Sequence, residues 1–384
     1  MPGKSGRDRQ RIYTVGTLDK ALTVLELLEG SSTPLNLQEI SGRTRIQRLA
    51  VYRILSTLEN RGYVRRQQDK RYLAATRRRP VLGYLAPLTG NSFRVLVADS
   101  LAAAAKQARV DLRVFDNPED DEQATIGNAR RLVAAGVDIV VFFEPVEVIG
   151  HAVADLLLSS RIPFITVEIG IESGVYYGAN NYQAGKMAGQ ALGAFALQRW
   201  KGRFDYAVLI ESSVSSQRVR ARVGGALAGL REVVGEIPKR KLISYDGRAR
   251  QADTYRATRE FLREPTASDK LLISAVNDLS AIGALQALRE MGLEENAAIV
   301  GQNGSQESWP ELRNPRSRLI ASVAYFPETY GQGIIDTALS VLADQQVPPA
   351  VYTEHALLTH ENIDRYYPVA AKPGIREQGN VKPG

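Results

Sequence analysis

From Val81 onward the sequence keeps switching between short apolar runs and longer amphipathic stretches, and this alternation limits the possible folds more than any other feature. Runs of strand length fall at 81–87, 111–116, 138–143, 163–168, 206–211, 241–245, 270–275, 298–302 and 320–325. Apolar residues at helical spacing fill the intervals, at 93–108, 121–135, 147–159, 183–199, 216–233, 250–263, 278–291 and 329–343. Repeated strand–helix units build parallel sheets whose strands are covered by helices on both faces. About 280 residues of such units suffice for two sheets rather than one. The expectation is an α/β core of two doubly wound parallel sheets.

Residues 1–80 read differently. The stretch 17–29, TLDKALTVLELLE, has helical spacing, with Thr17 as N-cap and Gly30 as the C′ residue. Asn36 is placed to cap a short helix in LNLQEISGRT. A tight turn leads to a third helix ending at Gly62, and YVRRQQDKRYLA alternates about a polar turn as a hairpin. Helix, short helix, turn, helix and hairpin compose a winged helix-turn-helix. Within the third helix, Val51, Ile54, Leu55 and Leu58 share one arc, and Leu49, Tyr52, Arg53 and Ser56 the opposite one. The first arc needs a partner surface, and the second faces outward.

Charge bears on that outward arc. Residues 1–80 hold 17 Lys+Arg against 7 Asp+Glu, a net of +10, whereas the rest of the chain carries a net of −3. Positive charge confined to one small module calls for a polyanionic partner, a nucleic-acid duplex first of all. A merely solvated basic surface is the plainer alternative. The absence of cysteine excludes disulfides, thiolate catalysis and cysteine metal sites. The three histidines, His151, His355 and His360, lack metal-ligand helical spacing, so neither a metal nor another cofactor is expected. No apolar run of about 18 residues occurs, and the basic N-terminal stretch leads into no apolar signal core. A cytoplasmic protein with no membrane partner is expected.

VGTLDKALTVLELLE, LNLQEISGRT and RIQRLAVYRILSTLENRGYVRR together resemble the DNA-binding domain of IclR-type bacterial regulators. Val51-Tyr52-Arg53-Ile54-Leu55-Ser56-Thr57-Leu58 matches its recognition helix. Arg45 stands where a turn glycine is common and Leu49 where a small hydroxyl residue is common. The resemblance implies a double-stranded DNA operator as partner. Arg45, Gln47, Arg48, Leu49, Tyr52 and Arg53 become candidate groove contacts, and Arg65, Arg66, Lys70 and Arg71 candidate contacts from the hairpin. Leu49 either meets a thymine methyl or supports the turn.

Residues from 80 to about 360 resemble the type I periplasmic binding fold, especially ribose-type sugar receptors and the effector domains of LacI-type repressors. VLGYLAPLTGNSFRVLVADSL, IPFITVEIG with YYGANNYQAGKMAG, SSQRVRARVGGALAGL, LLISAVNDLSAIGALQALREMG, AAIVGQNGS and LIASVAYFPETYGQGI carry the likeness in order. Position by position it implies ligand contacts at Asn91, Phe93, Arg94, Glu168, Arg220, Asn277, Asp278, Asn303 and Tyr325. Ile169 replaces a usual arginine and Asn303 a usual aspartate. Asp278 reads equally as a helix N-cap, Phe93 as core, and Arg220 as the partner of a surface acid.

The combined expectation is a winged helix-turn-helix at 1–76, a linker at 77–80, a two-lobed core at 81–365 and a C-terminal tail at 366–384. Lobe 1 spans about 81–180 and 326–354, and lobe 2 about 181–325 and 355–365. Such a chain is a transcriptional regulator, not an enzyme, controlled by a small sugar or polyol effector. Resemblance and operator symmetry imply a homodimer, with helices 93–108 and 121–135 as its interface. A solute receptor without DNA function and an enzyme on a doubly wound fold are the alternatives. No P-loop, Gly-x-Ser-x-Gly or metal constellation supports the latter.

Overall fold

The fold, known from a computed structural model, is described for residues 15–369 apart from 32, 68, 76–78, 90 and 264–267. Two residues of the expected linker, 77 and 78, and the tail from 370 lie outside that range. The chain divides into two units, Met1–Arg79 and Pro80–Gly384.

The first unit holds α1 (Gly16–Glu29), α2 (Leu37–Thr44), α3 (Arg48–Asn60), β1 (Val64–Arg66) and β2 (Tyr72–Ala74). Asn36 caps α2 with a full capping box, since its side chain accepts from the Glu39 amide and Glu39 answers to the Asn36 amide. Thr17, expected to cap α1, lies inside it instead. The helix begins at Gly16, Val15 offers no side-chain cap, and Asp19 supplies the negative charge in the first turn. Gly30 closes α1 in right-handed geometry rather than as a left-handed C′ residue. Gly62, by contrast, has a φ of +71°, the turn that aims the chain into the β1–β2 hairpin. Val24, Leu28, Ile40, Val51, Leu55, Val64 and Tyr72 close a small core of their own.

The second unit continues with β3 (Val81–Ala86), α4 (Ser92–Ala108), β4 (Asp111–Asp116), α5 (Glu122–Ala134), β5 (Ile139–Phe142), α6 (Glu147–Ser159), β6 (Phe164–Val167) and β7 (Val175–Ala179). Next come α7 (Asn181–Trp200), β8 (Tyr206–Glu211), α8 (Gln217–Val234), β9 (Leu242–Asp246), α9 (Gln251–Phe261), β10 (Leu271–Ala275), α10 (Asp278–Glu290) and β11 (Ala297–Asn303). It closes with α11 (Trp309–Arg313), β12 (Leu319–Ala324), α12 (Tyr330–Leu342), β13 (Ala350–Thr353), β14 (Ala356–Thr359) and α13 (Ile363–Tyr366).

These strands form two sheets, β13-β7-β6-β5-β3-β4 and β14-β12-β11-β10-β8-β9. Every pairing is parallel except β12 with β14. Leaving out the added edge strand, each sheet has the doubly wound order 2-1-3-4-5, which opens a crevice at the carboxyl ends of its strands. The chain passes between sheets after β7, after β12 and between β13 and β14. Strands β7, β13 and β14 were not legible as runs, because each is short and broken by Gly, Thr or a turn.

Helices α7 and α8 touch backbone to backbone. A Cβ on Gly189 would stand 1.9 Å from the Ala226 carbonyl oxygen, and one on Gly229 would stand 2.0 Å from that of Lys186. Backbone cannot yield as a flexible side chain does, so Gly189→Ala should destabilise the second unit by about 1–3 kcal/mol through overpacking. Chemical denaturation checks this, and an unchanged midpoint would mean the two helices stand apart in solution.

Candidate functional site

On the first unit, α3 buries Val51, Ile54, Leu55 and Leu58 and turns Arg48, Leu49, Tyr52 and Arg53 outward. Leu49 is 62% exposed, so it supports no turn by packing. Arg45 sits in left-handed geometry at the end of α2, and Gln47 is the N-cap of α3 without a side-chain capping bond. Arg45, Gln47 and Arg48 therefore gather at the α3 N-terminus, where backbone N–H groups also point outward. Arg65, Arg66 and Lys70 are exposed on the hairpin, Lys70 with a φ of +63° in its turn. Arg71 differs. Its guanidinium donates to the Pro34 carbonyl at 3.2 Å and pairs with Glu39 at 3.6 Å and Asp69 at 3.4 Å. It fastens the hairpin to α2, with its side chain 42% exposed.

In the second unit, a cavity of about 330 Å³ lies between the sheets at the carboxyl ends of their strands. Of the expected residues, Asn91, Phe93, Arg94, Glu168, Asn277 and Asn303 line it. Arg220, Asp278 and Tyr325 do not. Arg220 lies at the rim, donating to the Ser215 carbonyl at 2.6 Å and meeting Glu147 at 3.5 Å. The cleft arginine is Arg222, two residues on, which the sequence reading missed. A helix turns about 200° over two residues, so the two guanidinium groups leave α8 on opposed faces. The signal was present: Arg222, Gly225 and Gly229 stand at i, i+3 and i+7, the face that meets α7.

Arg222 is buried and held from four sides. Its Nε donates to Asn181 Oδ1 at 2.6 Å, and Nη1 to the Val276 carbonyl at 2.9 Å and Asn303 Oδ1 at 3.3 Å. Its Nη2 donates to Glu168 Oε2 at 3.2 Å, joining the two lobes. The Tyr325 ring lies 4.9 Å from the guanidinium carbon, a cation–π support behind the cleft. Glu168 Oε1 accepts from the Ala179 amide at 2.9 Å and the Tyr330 hydroxyl at 2.6 Å. Burial pushes the Glu168 carboxyl up, and the Arg222 charge pulls it back. Glu168 and Asn303 both adopt positive φ, +62° and +103°, at the strand ends where their side chains enter the cleft. Such strain in non-glycine residues marks sites the surrounding structure over-determines.

Asp278 is structural. Wholly buried at the first turn of α10, it accepts from Ser322 at 2.6 Å and from the Ser305 amide at 2.7 Å. Burial raises its carboxyl to about 7. The N-cap is its neighbour Asn277, whose Oδ1 accepts from the Ser280 amide. Phe93 is both core and lining, packed edge-on against Phe143, Tyr325 and Tyr330. Arg94 is buried beside Glu119, and its Nε and Nη1 have no partner among the described residues.

Further contacts cross the cleft rim. Arg250 pairs with Asp120, and Ser92 donates to Glu307 through its amide at 2.9 Å and hydroxyl at 2.6 Å. Where the crossovers meet, His355 Nε2 accepts from the Asn180 amide at 3.0 Å and its ring stands 5.0 Å from that of Tyr325. Burial and the Arg222 charge lower its pKa to about 4, so the acceptor form prevails at neutral pH. Among the described residues no His, Asp and Glu cluster could hold a metal ion, and no helix is long and apolar enough to cross a membrane.

Arg222→Met should cost about 3–5 kcal/mol, because it strands a buried carboxylate. Arg220→Ala, at a half-exposed rim pair, should cost less than about 1 kcal/mol. Without the guanidinium the Glu168 carboxyl rises further. In the intact protein that carboxyl is already raised, so the Arg222→Met deficit shrinks as pH falls from the variant's still higher value to the wild type's raised one and is constant below it. Urea titrations across that range check it, and equal deficits for both variants would sink the assignment.

Comparison with known proteins follows the division seen here. Residues 17–68 match the IclR helix-turn-helix domain, and residues 82–346 match the periplasmic binding protein domain. A search among curated proteins returns no match. Among solved structures, a periplasmic solute binding protein from Actinobacillus succinogenes 130z with bound D-allose is similar at 18% identity and a TM-score of 0.63, over 75% of this chain and 100% of that one. A Mycobacterium smegmatis structure in complex with β-D-fucofuranose is similar at 21% identity and TM-score 0.62, over 75% and 94%. A glucose-galactose binding protein from Geobacillus stearothermophilus is similar at 20% identity and TM-score 0.63, over 74% and 99%. With two doubly wound lobes, a cleft at their strand ends and a family model spanning most of its length, the chain belongs to the periplasmic binding protein domain family and carries an IclR helix-turn-helix domain ahead of it.

Proposed function

We propose that this chain is a DNA-binding transcriptional regulator whose operator affinity is set by a sugar or polyol held between its two lobes. The observation that carries the reading is the union of the two matched modules in one chain. The sugars named for the similar structures support the effector class. Both modules bind rather than transform, and we assign no reaction to the chain.

Arg45, Gln47, Arg48, Leu49, Tyr52 and Arg53 form the DNA-reading surface, with Arg65, Arg66 and Lys70 on flanking phosphates. Arg71 instead steadies the hairpin. Asn91, Phe93, Arg94, Glu168, Asn277 and Asn303 are the effector contacts, with Arg222 in place of Arg220. Ligand draws the lobes together about the three crossovers, and the rim pairs Arg250–Asp120, Arg220–Glu147 and Ser92–Glu307 belong to that closed state. Two copies reading a palindromic operator join through α4 and α5. Val95 on α4 and Val114 on the edge strand β4 are exposed there. The protein acts in the cytoplasm.

Two measurements test this. Log affinity for operator DNA should fall linearly with log salt, with a slope of about −0.9 per phosphate contacted, and Arg48→Ala should reduce that slope by about one contact. Two chains per duplex are expected at saturation. A flat salt response would remove the first unit as a DNA reader. A sugar or polyol at 100 times its dissociation constant should add about 2.7 kcal/mol to the stability of the intact chain. A library screen by thermal shift in which nothing stabilises the chain would remove the second unit as an effector site.

A further inference from the structure

The cleft lining is sorted by polarity. Around one end, the loops 143–147, 169–171 and 214–219 come together: the Glu147 amide donates to the Val214 carbonyl at 3.0 Å, and a Cβ on Gly170 would strike the Arg218 side chain. The lining residues they contribute are apolar, Pro145, Val146, Ile169, Val214 and Val219 among them, apart from Ser215, whose hydroxyl is paired with that of Ser212. Around the other end, residues 91–94, 119–120, 248–251, 277 and 303–307 are tied by Arg94–Glu119, Arg250–Asp120, Ser92 donating to Glu307, and Asn277 Nδ2 donating to the Ala249 carbonyl. That end is polar.

The polar groups in the middle satisfy one another. Arg222 has five N–H donors, and the four bonds described above occupy all but one of them. Glu168 already accepts three hydrogen bonds. Asn277 uses its oxygen on α10 and one of its two N–H donors on Ala249. Asn91 Oδ1 caps α4, which leaves its Nδ2, and Asn303 keeps its Nδ2, each without a protein partner among the described residues. The Nε and Nη1 of Arg94, without a partner among the described residues, add donors at the polar end. At the other end the side chains of Val146, Ile169, Val214 and Val219 offer none, so a hydroxyl buried there is left without a side-chain partner and weakens binding.

From this we infer that the effector is amphipathic: a deoxy or alkyl-substituted sugar whose hydroxyls meet Asn91, Arg94, Arg222 and Asn303 and whose apolar group rests on Val146, Ile169, Val214 and Val219. The inference depends on the cleft being a polyol site, and it narrows the ligand class of that site. Ile169 sets the preference. It is buried, directly follows the carboxylate that anchors the cleft, and offers no hydrogen bond where a hydroxyl would need one.

Calorimetric titration of the full chain with matched pairs tests it: D-galactose with D-fucose, D-glucose with D-quinovose, L-mannose with L-rhamnose, and each hexose with its methyl glycoside. In at least one pair the member bearing the extra apolar group should bind about fourfold more tightly or better, the gain from burying one methyl. Parent hexoses binding as tightly as their partners in every pair would overturn the inference and leave the polyol reading standing. No binding by any member would overturn the inference, and the library screen above then decides the polyol reading separately. Ile169→Gln should reduce or invert the ratio within the preferred pair. Weakening both members equally would show a merely structural side chain and also count against the proposal.

Discussion

A guanidinium and a carboxylate buried across the lobe boundary, Arg222 and Glu168, organise the second unit. Removing both charges from water is costly, and mutual attraction repays it only when the remaining donors and acceptors are satisfied as well. The structure meets that demand from every adjacent element. Asn181 comes from the first crossover, Tyr330 from the start of α12, Val276 and Asn303 from the ends of β10 and β11, and the Tyr325 ring from the second crossover. The ion pair and the segments that cross between the lobes are thus one assembly.

Position is enforced mainly through backbone. Arg222 lies on α8, α8 is pressed against α7 by glycines on both helices, and α7 starts directly after the first crossover. Glu168 reaches the same place from the opposite lobe by adopting a left-handed conformation that a glycine would enter without cost. A Cβ on Gly178 would come within 2.6 Å of the Glu168 carboxylate, so the strand beside it must be bare there. Two strained residues and one stripe of missing side chains set the geometry of a cleft whose chemistry is otherwise ordinary.

Most of the fold was readable because βα units advertise themselves by period: eight of the helices expected in the core and nine of its strands appear near their expected positions. Asn36 was readable as a cap because capping chemistry is local. What escaped depended on register. SSQRVRARVGG offers arginines at every second position, and only the packing of α8 on α7 decides which one faces the cleft. The part played by Arg71 escaped for a similar reason, since Glu39 lies in a different element and only the fold brings the two together. Asp278 was found by motif, but its partners Ser305 and Ser322 are supplied by later segments, so its role could not be told from sequence.

The edge strands carry a consequence for how the molecule comes into being. β13 completes the first sheet and β14 the second, yet both arise after every other strand, from adjacent segments between Ala350 and Thr359. Helix α12, which packs on α4 in the first lobe, also follows all of the second lobe except β14 and α13. During synthesis the first sheet cannot be completed until five of the second sheet's six strands have been made, while the N-terminal module already has all its elements. Every element of the helix-turn-helix unit is therefore made before either sheet of the second unit is complete.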